Sequence, residues 1–182
     1  MTVGEPVVIP GEMAESADLR TGAPLHDGLL ALLPLVGRWA GAGAGRVPED
    51  GRDFRFAQEM SFTHDGRPFL VYDSRTWLLN AAGEVLRPAA RESGYWRPGP
   101  GQDDVEVVLA LNTGLTLVLT GLAGDQRWEI ATTRIAGTPT AKAVEGNRRL
   151  YAIVGGDLTY AQELARPGED FVPHLTARLQ RR

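Results

Sequence analysis

The stretch from Gly37 to Gly51, GRWAGAGAGRVPEDG, governs how the rest of the chain is interpreted. Its glycine spacing resembles a dinucleotide-binding loop, but such a loop needs a strand before it and a helix after it. The residues that follow include a proline and a further glycine, which do not begin a helix cleanly. One parity of the stretch carries Trp39, Gly41, Gly43 and Gly45. Glycine in a strand marks a bend or the close approach of a ligand or another backbone, so we predict a strand with one face cleared of side chains.

The rest of the chain is predicted to consist of short strands and turns. From Phe54 to Phe62 the apolar residues share one parity, which is the alternation of a half-buried strand. Asp65 and Gly66 then give a strong hairpin signal. The other predicted strands are Phe69 to Leu79, Val85 to Trp96, Val105 to Leu111, Leu115 to Gly121, Arg127 to Thr133, Ala141 to Val154, Leu158 to Ala165 and Phe171 to Leu179.

About ten strands with short links predict an all-β fold, a ten-stranded antiparallel up-and-down β-barrel, since closure removes the exposed edges. A barrel of this width can enclose a ligand cavity. Residues 1–23 lack periodicity and are predicted to form a mobile tail, which leaves residues 24–182 as one barrel domain. Leucines between Pro24 and Val36 predict one short helix that ends around Pro34, with Asp27 as its N-cap. We expect Trp39 to be buried beside this helix, because large aromatic side chains dominate core burial.

The composition excludes several classes of function. The net charge of −4 gives no electrostatic reason to expect nucleic acid or an anionic membrane as a partner. The chain has no cysteine, which rules out disulfides, thiolate metal sites and cysteine nucleophiles. It has no apolar run of membrane-spanning length and its first residues do not resemble a secretion signal, so a cytoplasmic location is the default.

The three histidines are spaced too far apart for a multi-histidine metal motif. His26 is predicted to face solvent, and His64 to make a structural hydrogen bond in its hairpin turn. His174 shares a strand face with Thr176 and Arg178, and periodicity does not decide whether that face meets solvent or a cavity. A single histidine can nevertheless serve as the axial ligand of a haem.

The segment GRWAGAG, from Gly37 to Gly43, matches GxWxGxG, the signature of the nitrobindin family, whose members are also called ferric nitrobindins or peroxynitrite isomerases. The resemblance continues through FAQEMSFTHDGRPFLVY, ESGYWR, VEVVLALNTGLTLV, PTAKAVEGNRRLY, GDLTYAQEL and PHLTARL. It extends roughly from Leu25 to Arg181, and it implies a ten-stranded barrel similar to fatty-acid-binding proteins that holds haem b near one end.

The resemblance also implies a set of site residues. The proximal histidine of the family falls on His174, as both catalytic residue and iron ligand, and further haem contacts fall on Lys142 and Glu49. Many members have tyrosine and threonine where this chain has Val47 and Glu49, so the loop after the glycines departs from the family pattern. The signature residues expected to bind the cofactor are Gly37, Trp39, Gly41 and Gly43.

The function implied is isomerisation of peroxynitrite to nitrate at one ferric haem b per chain, together with binding of nitric oxide. A barrel that carries a fatty acid, a porphyrin or another apolar ligand without chemistry is an alternative, and a nitric oxide sensor is a third. The sequence leaves open whether the protein is a homodimer.

Overall fold

The computed structural model describes residues 15–48 and 50–182 and contains one short helix followed by ten strands. The strands are β1 Gly37–Arg46, β2 Asp53–Thr63, β3 Leu70–Leu79, β4 Val85–Pro98, β5 Asp104–Leu111, β6 Leu115–Gly124, β7 Arg127–Gly137, β8 Gly146–Val154, β9 Asp157–Ala165 and β10 Val172–Arg181. Each strand pairs antiparallel with its neighbours in the chain, and β1 also pairs with β10. The predicted ten-stranded antiparallel barrel is therefore confirmed.

Several predicted strand boundaries were wrong: β6 and β7 run on to Gly124 and Gly137, beyond the predicted Gly121 and Thr133, and the start of β8 differs most. β8 begins at Gly146, whereas the sequence suggested Ala141, and residues 138–145 form an irregular loop. The amide of Ala141 donates to the carbonyl of Thr138 at 3.0 Å, which closes a turn around Pro139. Proline has no N–H for a strand ladder, so the chain turns here before β8 can start.

The helix runs from Asp27 to Leu35 and has 3₁₀ geometry. Its N-cap is His26, because Nδ1 of that ring accepts a hydrogen bond from the amide of Gly28 at 3.0 Å. The prediction that Asp27 caps the helix was therefore wrong, since Asp27 is already the first helical residue. His26 itself is exposed, as predicted. The helix is too short to cross a membrane, and no other helix occurs in the described residues.

The helix closes one end of the barrel. Leu29, Leu32 and Leu35 are buried in the same core cluster as Trp39, Trp96 and Trp128. The indole N–H of Trp39 donates to the carbonyl of Leu35 at 2.9 Å, and that of Trp128 donates to the carbonyl of Ala31 at 2.8 Å. Trp39 is 1% exposed, which confirms the prediction that it is buried beside the helix. We call this part of the molecule the closed end.

The glycine face of β1 accommodates other parts of the protein. A Cβ atom at Gly45 would lie 2.5 Å from the carbonyl oxygen of His174 and 2.5 Å from the ring of Phe54. Side chains at Gly41 and Gly43 would likewise overlap the β10 backbone, and at Gly43 also the ring of Phe56. The cleared face thus allows close approach by the neighbouring strand and by phenylalanine rings from β2.

The predicted mobile tail, residues 1–23, lies mostly outside the described residues. Of the part that is described, Ser16 forms a two-hydrogen-bond antiparallel bridge with the backbone of His64, and Thr63 donates to Glu15 at 2.6 Å. The imidazole of His64 is buried, and within the described residues neither of its nitrogens has a hydrogen-bond partner. The expected side-chain hydrogen bond of His64 to its turn was therefore wrong: the ring is buried, and it is the backbone of His64 that pairs, with Ser16.

Candidate functional site

A cavity of about 1870 Å³ opens at the end of the barrel opposite the helix. The β1–β2 loop, the β7–β8 loop and the start of β10 surround its opening, which we call the mouth. Its apolar wall includes Phe54, Phe56, Leu78, Leu79, Leu111, Leu115 and Leu117. Pockets for small molecules usually measure roughly 300–1,000 Å³, so this space can accept a large, mainly apolar ligand.

His174 reaches the cavity because of an irregularity in β10. Pro173 pairs with Glu163 and Leu175 pairs with Gln162, so His174 is the extra residue of a β-bulge. A bulge redirects side chains locally, and both His174 and Leu175 line the cavity as a result. The imidazole lies against the ring of Phe54, with 5.8 Å between the centroids. The bulge thus resolves the ambiguity that strand periodicity left at this position.

A backbone carbonyl fixes the tautomer of His174. Its Nδ1 lies 3.0 Å from the carbonyl oxygen of Arg46, and a carbonyl can only accept a hydrogen bond. Nδ1 therefore carries a proton, and in the neutral form of the ring the lone pair is on Nε2. A histidine that ligates a metal typically donates its other N–H to such an acceptor, which orients the ring and raises its basicity.

The carbonyl that orients His174 belongs to the last residue of β1, and this residue is tied to β2. Arg46 Nε donates to the carboxylate of Asp53 at 2.8 Å. This hydrogen bond lowers the pKa of Asp53 below its ordinary value. Both side chains are exposed, so the pair adds little stability, but it connects the two strands where the Arg46 carbonyl is presented.

The structure brings Lys142 to the same mouth as His174. Lys142 is exposed on the β7–β8 loop and lines the opening. Among the described residues of the rim, Arg46, Arg52, Arg55, Arg87, Lys142 and Arg166 are basic, and Asp53 and Glu163 are acidic. This rim suits a ligand that presents anionic groups to solvent. Glu49 lies outside the described residues, although Val47 and Pro48 next to it also line the cavity.

An ion pair that crosses the lumen forms part of the cavity's inner boundary. Arg149 on β8 donates from Nη1 and Nη2 to the carboxylate of Glu92 on β4, at 2.7 and 2.9 Å. Its Nε also donates to the side chain of Asn147 at 2.9 Å. Burial opposes the charge on Arg149, but the Glu92 carboxylate outweighs burial, and the pKa of Arg149 is raised well above its ordinary value. Arg149 therefore keeps its positive charge inside the barrel.

A second set of hydrogen bonds crosses the lumen beside the ion pair. Tyr160 on β9 donates to the amide oxygen of Gln58 on β2 at 2.8 Å, and Gln58 donates to Ser74 at 2.8 Å. Burial raises the pKa of Tyr160 far above its ordinary value, so its hydroxyl keeps its proton. We call Gln58, Ser74, Glu92, Arg149 and Tyr160 the floor, because the next inward residues towards the helix do not line the cavity.

Sequence reasoning missed the floor completely. The sequence did contain a signal for it on β8, where the polar or hydroxyl-bearing residues Asn147, Arg149 and Tyr151 occupy alternate positions and share the buried face. The signature residues Gly37, Trp39, Gly41 and Gly43 are placed elsewhere, at the closed end and along the β1–β10 contact, and they do not line the cavity. On β1 the cavity is lined by Ala44, Gly45 and Arg46.

The residues of the mouth fit a haem. A histidine with its lone pair on Nε2, an apolar wall and a basic rim match the iron, the porphyrin face and the propionates of haem b. The fit depends on His174 and the cavity wall, and it needs no residue from the closed end.

Comparisons with known proteins agree with this geometry. A protein of Salinispora arenicola named peroxynitrite isomerase is 46% identical over 97% of this chain and 91% of its own length. Another of that name, from Salinispora tropica, is 47% identical over 92% of this chain and 87% of its own length. The crystal structure of Rv2717c from M. tuberculosis superposes with a TM-score of 0.77 at 36% identity, over 87% of this chain and 99% of that one.

A family model described as "THAP4-like, heme-binding beta-barrel domain" matches residues 28–181. The match begins within the helix of the closed end and runs to the last residue of β10, so it includes the mouth, the floor and His174. The chain therefore belongs to the family of THAP4-like haem-binding β-barrel domains.

Proposed function

We propose that this protein binds one ferric haem b per chain through His174, isomerises peroxynitrite to nitrate, and binds nitric oxide at the same iron. The observation that carries the proposal is the His174 imidazole, oriented by the Arg46 carbonyl at the mouth of a large apolar cavity. The activity is the one for which the relatives from Salinispora are named.

A haem iron held by His174 would supply Lewis-acid chemistry, which would stabilise the charge that develops as a small anion rearranges. The part of the chain in this chemistry is mainly positioning. The Arg46 carbonyl holds a proton on Nδ1 of His174, so that Nε2 is the ring nitrogen that would bind the iron. Phe54 packs against the same ring and limits its rotation.

The wall and the rim of the cavity have separate roles. Leucines and phenylalanines of the wall exclude water from a porphyrin face and contribute apolar contact area. Basic side chains of the rim, Arg55, Arg87 and Lys142 among them, surround the opening through which an anion must pass. A positive rim raises the local concentration of anionic substrate, and this steering weakens as salt is added.

The alternative function, transport of a fatty acid, fits the floor less well. A carboxylate lipid would place its charged group against a buried cation at the inner end of an apolar cavity. Arg149 is that cation, and the carboxylate of Glu92 already holds it with two hydrogen bonds. A carrier of carboxylate lipids would have to break an intramolecular ion pair to fill the site.

Hemin titration of the wild type and two variants tests the proposal. The wild type is expected to show a Soret band that saturates at one hemin per chain and to accelerate peroxynitrite decay in stopped-flow measurements. His174→Gly is expected to bind hemin at least about 100-fold more weakly and to lose the acceleration, since the only proposed iron ligand is gone. His26→Asn keeps an N-cap acceptor and serves as the matched control, with unchanged hemin affinity.

Added imidazole shows whether His174→Gly loses hemin because the iron ligand is missing or because the fold is damaged. It is expected to restore the Soret band of His174→Gly, because the free base can enter the space left by the side chain. Equal hemin affinity in wild type and His174→Gly would contradict the proposal, as would a wild type that binds no hemin. If the wild type binds hemin but does not accelerate peroxynitrite decay, the proposed haem site stands and the proposed isomerase activity is wrong.

A further inference from the structure

The floor contains the donors of an anion site, together with a carboxylate that occupies it. Arg149 and Tyr160 present a guanidinium and a phenol at the inner end of an apolar cavity. Charge-assisted bidentate hydrogen bonds to a guanidinium are the strongest means by which proteins hold a carboxylate. Here both terminal nitrogens of Arg149 are directed to Glu92.

The two partners are not equally accessible from the cavity. The side chain of Arg149 is 1% exposed and that of Glu92 is 15% exposed. Both residues line the cavity, and Glu92 is the more exposed of the two. Tyr72 donates to Glu92 from the closed-end side at 3.3 Å, which helps to keep the carboxylate in this position.

We propose that Glu92 is a specificity-determining residue that fills a latent carboxylate site on the floor and thereby excludes fatty acids from the cavity. An entering carboxylate meets the negative charge of Glu92 beside the guanidinium it needs, and that guanidinium is already hydrogen-bonded to Glu92. Rejection through an unfavourable charge is an established route to specificity in binding sites. A ligand whose inner portion is apolar meets no such penalty.

The energetic asymmetry of buried ion pairs makes the proposal testable. When one partner of a buried pair is removed, the other remains as an uncompensated charge and is stabilised by any counter-ion that can reach it. Glu92→Gln leaves Arg149 at the end of an open cavity. A fatty-acid carboxylate is then the counter-ion best able to reach it, because its chain can lie along the leucine wall.

The experiment compares two ligands of equal chain length, dodecanoate and 1-dodecanol, on the full-length protein without hemin. Each is titrated as a competitor of the neutral fluorescent probe Nile red. The wild type is expected to bind dodecanol at least as tightly as dodecanoate. Glu92→Gln is expected to shift the ratio of affinities towards dodecanoate by about tenfold or more, as a new charge-assisted pair forms.

Two control variants test whether the shift towards dodecanoate comes from the pairing of the ligand with Arg149. Glu59→Gln removes the same charge from an exposed position on β2 and is expected to leave the ratio unchanged within about twofold. Glu92→Leu combined with Arg149→Leu removes both charges, and it is expected not to show the tenfold shift towards dodecanoate, because no cation remains to pair with the carboxylate. The double variant also shows whether the gain in Glu92→Gln requires Arg149.

The outcomes are decisive in each case. A wild type that already prefers dodecanoate overturns the proposal, and so does a folded Glu92→Gln protein with an unchanged ratio or no binding of either ligand. If Glu92→Gln does not fold, the wild-type ratio decides, since a floor closed to carboxylates must favour the alcohol. None of these readouts involves hemin, so failure here is distinguishable from failure of the haem proposal.

Discussion

The closed end and the mouth of the barrel are built from the two ends of the same ten strands, but their side chains differ in kind. At the closed end Trp39, Trp96 and Trp128 are buried against leucines of the helix, and two of the three indoles donate to helix carbonyls. At the mouth His174 is partly buried, Lys142 is exposed, and loops surround an open cavity. The difference indicates that stability is concentrated at one end and ligand chemistry at the other.

The floor separates these two regions. Its hydrogen bonds connect β4 with β8 and β2 with β9, pairs of strands that are not neighbours in the sheet. Changes at the closed end are therefore expected to act on unfolding, and changes at the mouth on ligand binding.

The largest expected effect is at the closed end. Trp39→Ala removes a fully buried indole and its hydrogen bond to Leu35, and it should cost about 3–5 kcal/mol of unfolding free energy. Urea denaturation measures the change, with the half-buried Trp77 replaced by alanine as the control. Hemin affinity of the remaining folded protein should not change. A loss below about 1 kcal/mol would mean that Trp39 does not support the closed end.

The second-largest expected effect is at the mouth, where bound hemin should stabilise the folded protein. Hemin at 100 times its dissociation constant should stabilise the wild type by about 2.7 kcal/mol, and His174→Ala should abolish this increment. Without hemin the same variant should lose less than about 1 kcal/mol, since His174 is only partly buried. Thermal unfolding with and without hemin separates the two quantities. A large loss in the hemin-free protein would assign His174 a structural role.

A smaller effect is expected at the closed end from a single hydrogen bond. Trp128→Phe keeps most of the apolar volume but leaves the carbonyl of Ala31 without its donor, at a cost of about 1–2 kcal/mol. Urea denaturation checks this value against Trp77→Phe. Equal losses in the two variants would show that the indole hydrogen bond does not anchor the helix.

The smallest effect concerns the β2–β3 turn. The side-chain hydrogen bond from Arg67 lowers the pKa of Asp65. A carboxylate whose pKa is lower in the folded state stabilises the protein above its unfolded pKa of about 3.9, and this contribution is lost as the pH falls through the folded value. Asp65→Asn should therefore reduce stability at pH 7 and converge with the wild type in acid. Unfolding free energies that diverge towards low pH would contradict this sign.

Much of the fold was predictable because its signals are local. Period-two alternation and turn residues placed all ten strands, and the large aromatic side chain of Trp39 next to a leucine-rich helix predicted its burial. The predicted helix cap and the predicted start of β8 were wrong because a local interaction that the pattern does not show determined each of them. His26 caps the helix in place of Asp27 because a ring nitrogen reaches the amide two residues ahead, and β8 starts late because Pro139 lies in a turn.

The site was predictable only in part. A family resemblance selected His174 and Lys142, and the structure brings both to one mouth. The basic rim was not recognised from the sequence, because its members come from several strand ends that only closure of the barrel brings together.

The sequence by itself determined which residues of a strand share a face, since the alternation of a strand is a property of its own backbone. It could not determine which inward residues meet across the lumen. Arg149 and Glu92 are 57 positions apart, and His174 and the carbonyl of Arg46 are 128 apart. Barrel closure and one bulge in β10 bring these groups within hydrogen-bonding distance, and both depend on pairing between strands. For that reason the ion pair on the floor and the tautomer of His174 were decided only by the tertiary structure.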